Sequence, residues 1–227
     1  MFCDDGTSDW QKKWSKDGLR AKVLNTSKGM SVYAGHNYLN DADHVVMWTK
    51  QSFEGNIIIE YDFTRLDTAT KVAVNILYIQ SEGSGKGAYK KDLFEWSTLR
   101  QIPAMNVYFD HTDAYHISYA TSGAKAAKDD DYMRARRYMP ETGQHLKGTS
   151  LQPEYFNSGF FKTGITYHLT IIKDNKLLLF NVKGDGKEQT FYFSAEAFPP
   201  IECGRIGLRL MFTRNSLYAN FKVFQLK

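Results

Sequence analysis

The sequence predicts an all-β fold built as a jelly-roll sandwich of two antiparallel sheets with very little helix. Three observations carry this. Helical periodicity is almost absent from the 227 residues, while short runs with strand composition recur between Gly, Asn and Asp breaks. Aromatic residues reach 15%, and aromatic side chains favour the pleated, half-buried surface of a strand. About a dozen such runs joined by short turns bury their faces most simply as two packed sheets. The chain is read as one domain over residues 1–227, a length all-β sandwiches reach as single units.

The elements follow in order. Residues 1–5 open directly as a strand, and 9–16 read as one helical turn or a strand. Strands are expected at 45–48 and, after the Glu54-Gly55 turn, at 57–63. Residues 72–80 are apolar nearly throughout, the signature of a central strand covered on both faces. Residues 81–89 form a Gly-rich loop. A helix is expected over 91–101, with Asp92 as its cap, Glu95 at the third position and Pro103 beyond its end. Strands follow at 106–109, 115–120 and 132–138, with an exposed loop over 121–131. Residues 140–158 are the least regular stretch, and long irregular segments tend to carry function. The pattern then sharpens. Runs at 167–173 and 176–183 flank the two-residue Asp174-Asn175 turn of a hairpin. Further strands occupy 189–194, 205–212 and 217–226.

Composition narrows the function classes. Twenty-nine basic and 25 acidic residues leave a net charge of +4, far from the basic excess of a nucleic-acid binder, and no nucleic-acid motif is present. No apolar run approaches the ~18 residues of a membrane-spanning helix. No export signal is legible. Secretion or a periplasmic location is expected if Met1 replaces a removed signal, and a cytoplasmic one otherwise. Cys3 and Cys203 lack neighbours at metal-ligand spacing, and stand either as one disulfide or as two free thiols.

The chemistry concentrates in two strands. In Tyr115-His116-Ile117-Ser118-Tyr119 the alternation puts His116 and Ser118 on one face; in 132–138 it puts Arg134, Arg136 and Tyr138 on one face. Brought together in one sheet, these faces would make a cationic, aromatic-lined surface with one titratable imidazole, suited to an anionic sugar. A uronate lyase needs such parts. Cations neutralise the carboxylate, a base removes the adjacent proton, and an acid protonates the leaving oxygen. The assignment is His116 as base, Tyr138 as acid, and Arg134 and Arg136 as the clamp, since the guanidinium fork matches a carboxylate. Tyr108, Tyr119, His111 and Arg209 complete the substrate-binding set. Tyr119 points away from His116 in a regular strand, so Tyr138 is the better partner.

Glu60 and Asp62 share a face as a glycosidase pair would. They lie opposite the apolar face of Ile57, Ile59, Tyr61 and Phe63, and so read as a solvated acidic pair. Trp10 and Trp14 are open to sugar stacking, whereas Trp48 reads as core. His36, His44, His145 and His168 are dispersed; His145 lies where it could reach a cleft. No cofactor is called for. Asp129-Asp130-Asp131 offers hard oxygens for a structural Ca²⁺, but reads first as a solvated loop.

The last sixty residues carry a resemblance. Thr166-Tyr-His-Leu-Thr-Ile-Ile-Lys-Asp-Asn-Lys-Leu-Leu-Leu-Phe-Asn-Val-Lys-Gly, Gly204-Arg-Ile-Gly-Leu-Arg-Leu-Met-Phe and Tyr218-Ala-Asn-Phe-Lys-Val-Phe resemble the closing strands of the concanavalin A-like lectin/glucanase superfamily. With Asp43-His-Val-Val-Met-Trp48, Phe53-Glu-Gly-Asn-Ile-Ile-Ile-Glu-Tyr-Asp-Phe63 and Tyr115-His-Ile-Ser-Tyr119, nearly the whole chain is similar to the YesU-like family of uncharacterised bacterial proteins. The resemblance implies a concanavalin A-like sandwich acting on carbohydrate and supplies no catalytic residue. A fold does not choose between lyase, hydrolase and lectin. The expectation is therefore a polysaccharide lyase, with a non-catalytic carbohydrate-binding module second and a glycoside hydrolase third.

Overall fold

Fifteen strands account for most of the chain in a computed structural model, which describes residues 1–69, 71–122 and 131–226. Every pairing among them is antiparallel.

The first sheet runs β2 (Trp14–Asp17), β5 (His44–Glu54), β14 (Cys203–Met211), β7 (Ala73–Gly83), β8 (Thr112–Ser122), β9 (Tyr132–Tyr138) and β10 (Ser150–Phe156). The second runs β13 (Lys187–Ser194), β12 (Leu177–Gly184), β11 (Thr166–Asp174), β6 (Ile57–Arg65), β15 (Asn215–Gln225), β4 (Gly29–Tyr33) and β3 (Lys22–Thr26), with β1 (Phe2–Asp4) also on β15. The Gln152–Ser194 pairing joins the two at one edge. All-β sandwich architecture is thus as the sequence predicts.

One core fills the space between the sheets. The alternation of β6 sends Ile57, Ile59, Tyr61 and Phe63 inward. From the facing sheet, β8 sends Tyr115, Ile117 and Tyr119. Tyr119 crosses the interface: its ring meets Phe63 edge-on at 5.2 Å, and its hydroxyl accepts from Tyr61 at 3.1 Å. The opposite face of β6 is polar, as expected: Asp62 accepts from Asn220 at 2.7 Å and lies 2.8 Å from His168 Nδ1.

A second apolar cluster lies on the outer face of the first sheet. Trp48, Ile76, Tyr78 and Tyr138 pack there beneath Leu93, Trp96 and Tyr108. These last three belong to a cover made of the 3-10 helix Leu93–Arg100 and α1 (Met105–Phe109). This explains the apolar run of β7, which is buried on both faces. Gly207 lies beneath Trp48, whose ring a Cβ at that position would meet at 2.5 Å.

Several local expectations change. Residues 106–109 are helical, not a strand, and Asp110 N–H closes the turn onto Asn106 O at 3.0 Å. The 91–101 helix is a 3-10 segment; Asp92 caps it through Phe94 N–H at 3.0 Å, and Trp96 departs from helical geometry. Residues 9–16 are both readings in turn, a 3-10 turn at Trp10–Lys12 and then β2. The irregular 140–158 stretch contains β10. Cys3 and Cys203 are free thiols; β1 and β14 belong to different sheets. Among the described residues no helix is long and apolar enough to cross a membrane.

Candidate functional site

Strands β8 and β9 pair in the register that the alternation requires: His116 opposite Arg136, Ser118 opposite Arg134 and Ala114 opposite Tyr138. The imidazole of His116 bridges two hydroxyls. Its Nδ1 meets Tyr138 Oη, and its Nε2 meets Ser118 Oγ at 2.5 Å. One neutral tautomer satisfies both contacts, accepting at one nitrogen and donating at the other. Burial pushes His116 well below its ordinary value of 6.5, with the charges of Arg136 and Arg209 adding to the effect. Burial also raises Tyr138 well above 10.0. The pair has the protonation states of an elimination base and acid, but it is enclosed: His116 is 3% exposed and Tyr138 0%.

The clamp arginines already hold internal partners. Arg134 Nε lies 3.1 Å from Glu154 Oε2, and its guanidinium stacks over Tyr132 at 4.2 Å. Arg136 Nη1 donates to Thr149 Oγ1 at 3.2 Å and Ser150 Oγ at 3.1 Å. The remaining expected residues divide between the two faces. Tyr119 lies in the inter-sheet core, away from His116. Arg209 is buried under the helical cover, and Tyr108 is buried as part of that cover.

A polar network not anticipated from the sequence ties this cover to the sheet. Asp17 Oδ2 accepts from Arg100 Nε at 2.6 Å, Trp48 Nε1 at 2.7 Å and Tyr108 Oη at 2.9 Å. Gly18, at φ +97°, turns the chain directly after Asp17, and a Cβ there would meet His44 O at 2.4 Å. Arg209 lies over the Tyr108 ring at 4.6 Å, and its Nη2 donates to Pro103 O at 2.6 Å and His44 Nδ1 at 2.7 Å. Burial and the Arg209 charge lower His44 to about 3.

His111, in contrast, reaches an open pocket of about 380 Å³ at the edge of the cover, lined with Ser84, Lys86, Tyr89, Asp110 and Pro140. The Gly-rich loop is pinned there by backbone hydrogen bonds, Ser84 N–H to His111 O at 2.8 Å and Gly85 N–H to Tyr89 O at 2.8 Å. This sets the Tyr89 and His111 rings parallel, 8° apart in plane, with centroids at 3.5 Å. Burial lowers His111 below 6.5, against the opposing charge of Asp110. Asp110 Oδ1 also holds His145 Nδ1 at 2.5 Å, with the His145 side chain 70% exposed. His145 contacts a residue of this pocket without lining it. Nothing in the local sequence signals Tyr89, which sits in a loop far from His111 in the chain.

A larger pocket of about 450 Å³ lies between Tyr33, Tyr38, Asp67, Lys71, Thr213 and Asn215. Its carboxylate is engaged: Asp67 takes both Arg214 contacts at 2.9 and 3.1 Å and Arg65 Nε at 3.1 Å. Lys71 lies over the Tyr38 ring at 5.3 Å. No metal-binding cluster of three or more His, Cys, Asp or Glu forms among the described residues. Asp129 and Asp130 lie outside them; Asp131 accepts from Ser158 Oγ at 2.8 Å and Gly159 N–H at 2.5 Å.

The chain belongs to the family described as a domain of unknown function, DUF1961, which it matches over residues 6–223. No curated protein matches it. Among solved structures it is similar to a Bacillus subtilis protein of unknown function with a galectin-like fold, at TM-score 0.72 and 20% identity over 99% of this chain and 95% of the other. It is also similar to the carbohydrate-binding module CBM66 from Bacillus subtilis, at TM-score 0.53 and 12% identity over 93% and 94% of the chains. A third likeness is to the exoplasmic/lumenal domain of VIP36 bound to Ca²⁺ and Man3GlcNAc, at TM-score 0.60 and 11% identity over 96% and 85%. At these identities the likeness is one of fold.

Proposed function

We propose that this DUF1961 protein is a lectin-like carbohydrate-binding module whose sugar site is the pocket at Tyr89 and His111. The observation that carries the reading is the parallel pair of rings beside Lys86 and Asp110 in an open pocket. A sugar ring presents apolar C–H faces to aromatic rings and hydroxyls to charged or polar groups, and binding sites combine a few of each. The fold likeness to a carbohydrate-binding module and a mannose-bound lumenal domain supports the same class, as does the resemblance of the closing hairpins to concanavalin A-like and YesU-like sequences.

The β-elimination reading stands second. It is favoured by the contact between neutral His116 and Tyr138 Oη. In that reaction His116 would remove the proton beside a uronate carboxylate, the glycosidic C–O bond would break, and Tyr138 would protonate the leaving oxygen. It requires a chain of sugars to reach residues at 3% and 0% exposure and to displace the partners of Arg134 and Arg136.

The test is a titration with neutral and uronate oligosaccharides, followed by calorimetry and by ultraviolet absorbance. Binding that Tyr89→Ala abolishes, without new absorbance, is the expected result. Rising absorbance that His116→Ala removes would put the lyase first. Binding unaffected by Tyr89→Ala would remove the pocket from the proposal.

A further inference from the structure

The pocket of about 450 Å³ between Tyr33, Tyr38, Asp67, Lys71, Thr213 and Asn215 lies at the opposite end of β7 from the Tyr89 pocket. Lys71 precedes that strand and Ser84 follows it, so roughly 30–35 Å of strand separates the two. Its walls are fixed from within. Leu66 N–H donates to Asn215 O at 2.9 Å, and Asp67 accepts the backbone N–H of Asn215 at 2.9 Å and of Ala69 at 3.0 Å. Arg65 Nη2 donates to Ala69 O at 3.0 Å. The Tyr38 ring sits edge-on against Phe212 at 5.7 Å. Leu39, next to Tyr38, and Phe212 itself both hold left-handed backbone, at φ +63° and +59°. Such conformations are uncommon for side chains of this size and cluster at ligand clamps. The volume is within the range of small-ligand sites.

The charge this pocket offers to a ligand is positive. Asp67 is occupied by the protein itself: it holds the fully buried Arg214 at 2.9 Å and Arg65 at 3.1 Å. One carboxylate thus answers two guanidinium groups, and Lys71 adds a third cation at the rim. Lys71 is exposed, and among the described residues no carboxylate lies within 4.0 Å of its ammonium. That ammonium lies over the Tyr38 ring at 5.3 Å, where an exposed cation is weakly held. Asp43, whose charge reaches Tyr33, faces Arg20 at 3.5 Å. Neutral polar groups complete the lining. Asn215 Oδ1 makes no hydrogen bond among the described residues, and a turn about the soft terminal torsion of the amide presents it to the pocket.

We infer that this pocket binds a single uronic acid residue, with a C–H face of the sugar on Tyr38 and its carboxylate on Lys71. A sugar ring needs an aromatic platform with hydroxyl partners, and a carboxylate needs a cation; here both lie within one set of walls. Lys71 leaves the ring face for the carboxylate and exchanges a weak contact for a charge pair. The site is separate from the Tyr89 pocket and does not rest on the reading given to it. An open pocket with one exposed cation holds a single sugar residue weakly, on the order of millimolar.

Backbone amide NMR shifts of the full chain test the inference, because they locate binding residue by residue. The probes are methyl glucuronide and methyl galacturonide. Methyl glucoside has the ring without the carboxylate, and gluconate has the carboxylate without the ring. Saturable shifts at residues 66–69 and 213–215 are expected with the uronides, and Tyr89→Ala should retain them. Lys71→Gln should weaken uronide binding about two- to fivefold, and Tyr38→Ala about tenfold. If Tyr38→Ala does not fold, Lys71→Gln, at an exposed position, carries the test. Gluconate that binds as tightly as the uronides overturns the sugar class. Methyl glucoside that does so, or uronide binding unchanged in Lys71→Gln, overturns the carboxylate contact. The absence of saturable shifts at 66–69 and 213–215 overturns the site, and shifts confined to 84–89 and 110–111 do the same while upholding the Tyr89 pocket.

Discussion

Tyr138 Oη meets His116 Nδ1 across the β8–β9 pairing, in a place solvent barely reaches. The contact has the chemistry of a catalytic pair and the location of a structural one. Removing the imidazole leaves the Tyr138 and Ser118 hydroxyls buried without their partner, and an orphaned buried polar group costs its full desolvation. His116→Ala is therefore expected to destabilise the protein by about 2–4 kcal/mol while sugar affinity at the Tyr89 pocket is retained. Urea unfolding beside calorimetry checks this. A His116→Ala variant that is as stable as the parent contradicts the structural role.

The pocket should respond in the opposite way. Tyr89 and His111 form a stacked pair at an open edge, so Tyr89→Ala is expected to weaken sugar binding by about tenfold or more, as a lost aromatic platform of about 1–2 kcal/mol would. The melting temperature should fall little, because Tyr89 lies outside the inter-sheet core. Thermal unfolding and calorimetry on the same variant separate the two effects.

Much of this architecture was legible and part was not. The β8 and β9 alternation predicted which side chains share a face, and the register brings those residues opposite one another. Asp174-Asn175 signalled the hairpin between β11 and β12 for the same local reason, although the turn falls one residue later, at Asn175-Lys176, with Asp174 paired to Leu177. The 106–109 segment failed because Asn-Val-Tyr-Phe has strand composition, whereas its five-residue helix is fixed by Tyr108 reaching Asp17 beneath the cover. The closure of the expected site was invisible on similar grounds. Which segment lies on the outer face of a sheet depends on contacts such as Arg100–Asp17, between residues distant in the chain. His111 belongs to the binding set that the sequence suggests, yet its partner Tyr89 comes from a loop with no periodicity.

Asp17 should prove the strongest single support of the cover. It takes three donors with almost no solvent contact, and Arg100 opposite it is fully buried. Breaking a buried pair from one side leaves an uncompensated charge. Asp17→Ala is thus expected to cost about 3–5 kcal/mol, and to expose the 93–109 cover to limited proteolysis before the sandwich itself opens. Cleavage mapped by mass spectrometry would show the order; simultaneous loss of cover and sandwich would contradict it.

Stability should fall as pH falls below neutrality. His44 is lowered to about 3 from 6.5, and His116 lies well below 6.5, each chiefly through burial. The unfolded chain therefore takes up these protons first. The contribution is complete above 6.5 and is lost as pH drops towards the folded values, at about 1.4 kcal/mol per pH unit for each histidine. Carboxylates such as Asp67, held below 3.8 with Arg214 beside it, act only at lower pH. Urea midpoints between pH 7 and 5 should fall with a slope that His116→Asn roughly halves. A flat profile in that window would show that both imidazoles take up protons without unfolding.

The two thiols should differ in reactivity. Cys203 Sγ donates to Glu82 Oε1 at 2.9 Å, and this contact, with burial behind it, raises the thiol to about 11. The thiolate is the reactive form, so the fraction available near pH 8 is far below that of an ordinary cysteine. Alkylation of Cys203 by iodoacetamide is expected to be slow, and Glu82→Gln should accelerate it on the order of tenfold by removing both the carboxylate acceptor and its charge. The amide keeps the size of the side chain, so a rate change reports the charge rather than the packing. If Glu82→Gln leaves the rate unchanged while the unfolded protein reacts normally, burial alone protects the thiol, and the Glu82 contact has no part in it.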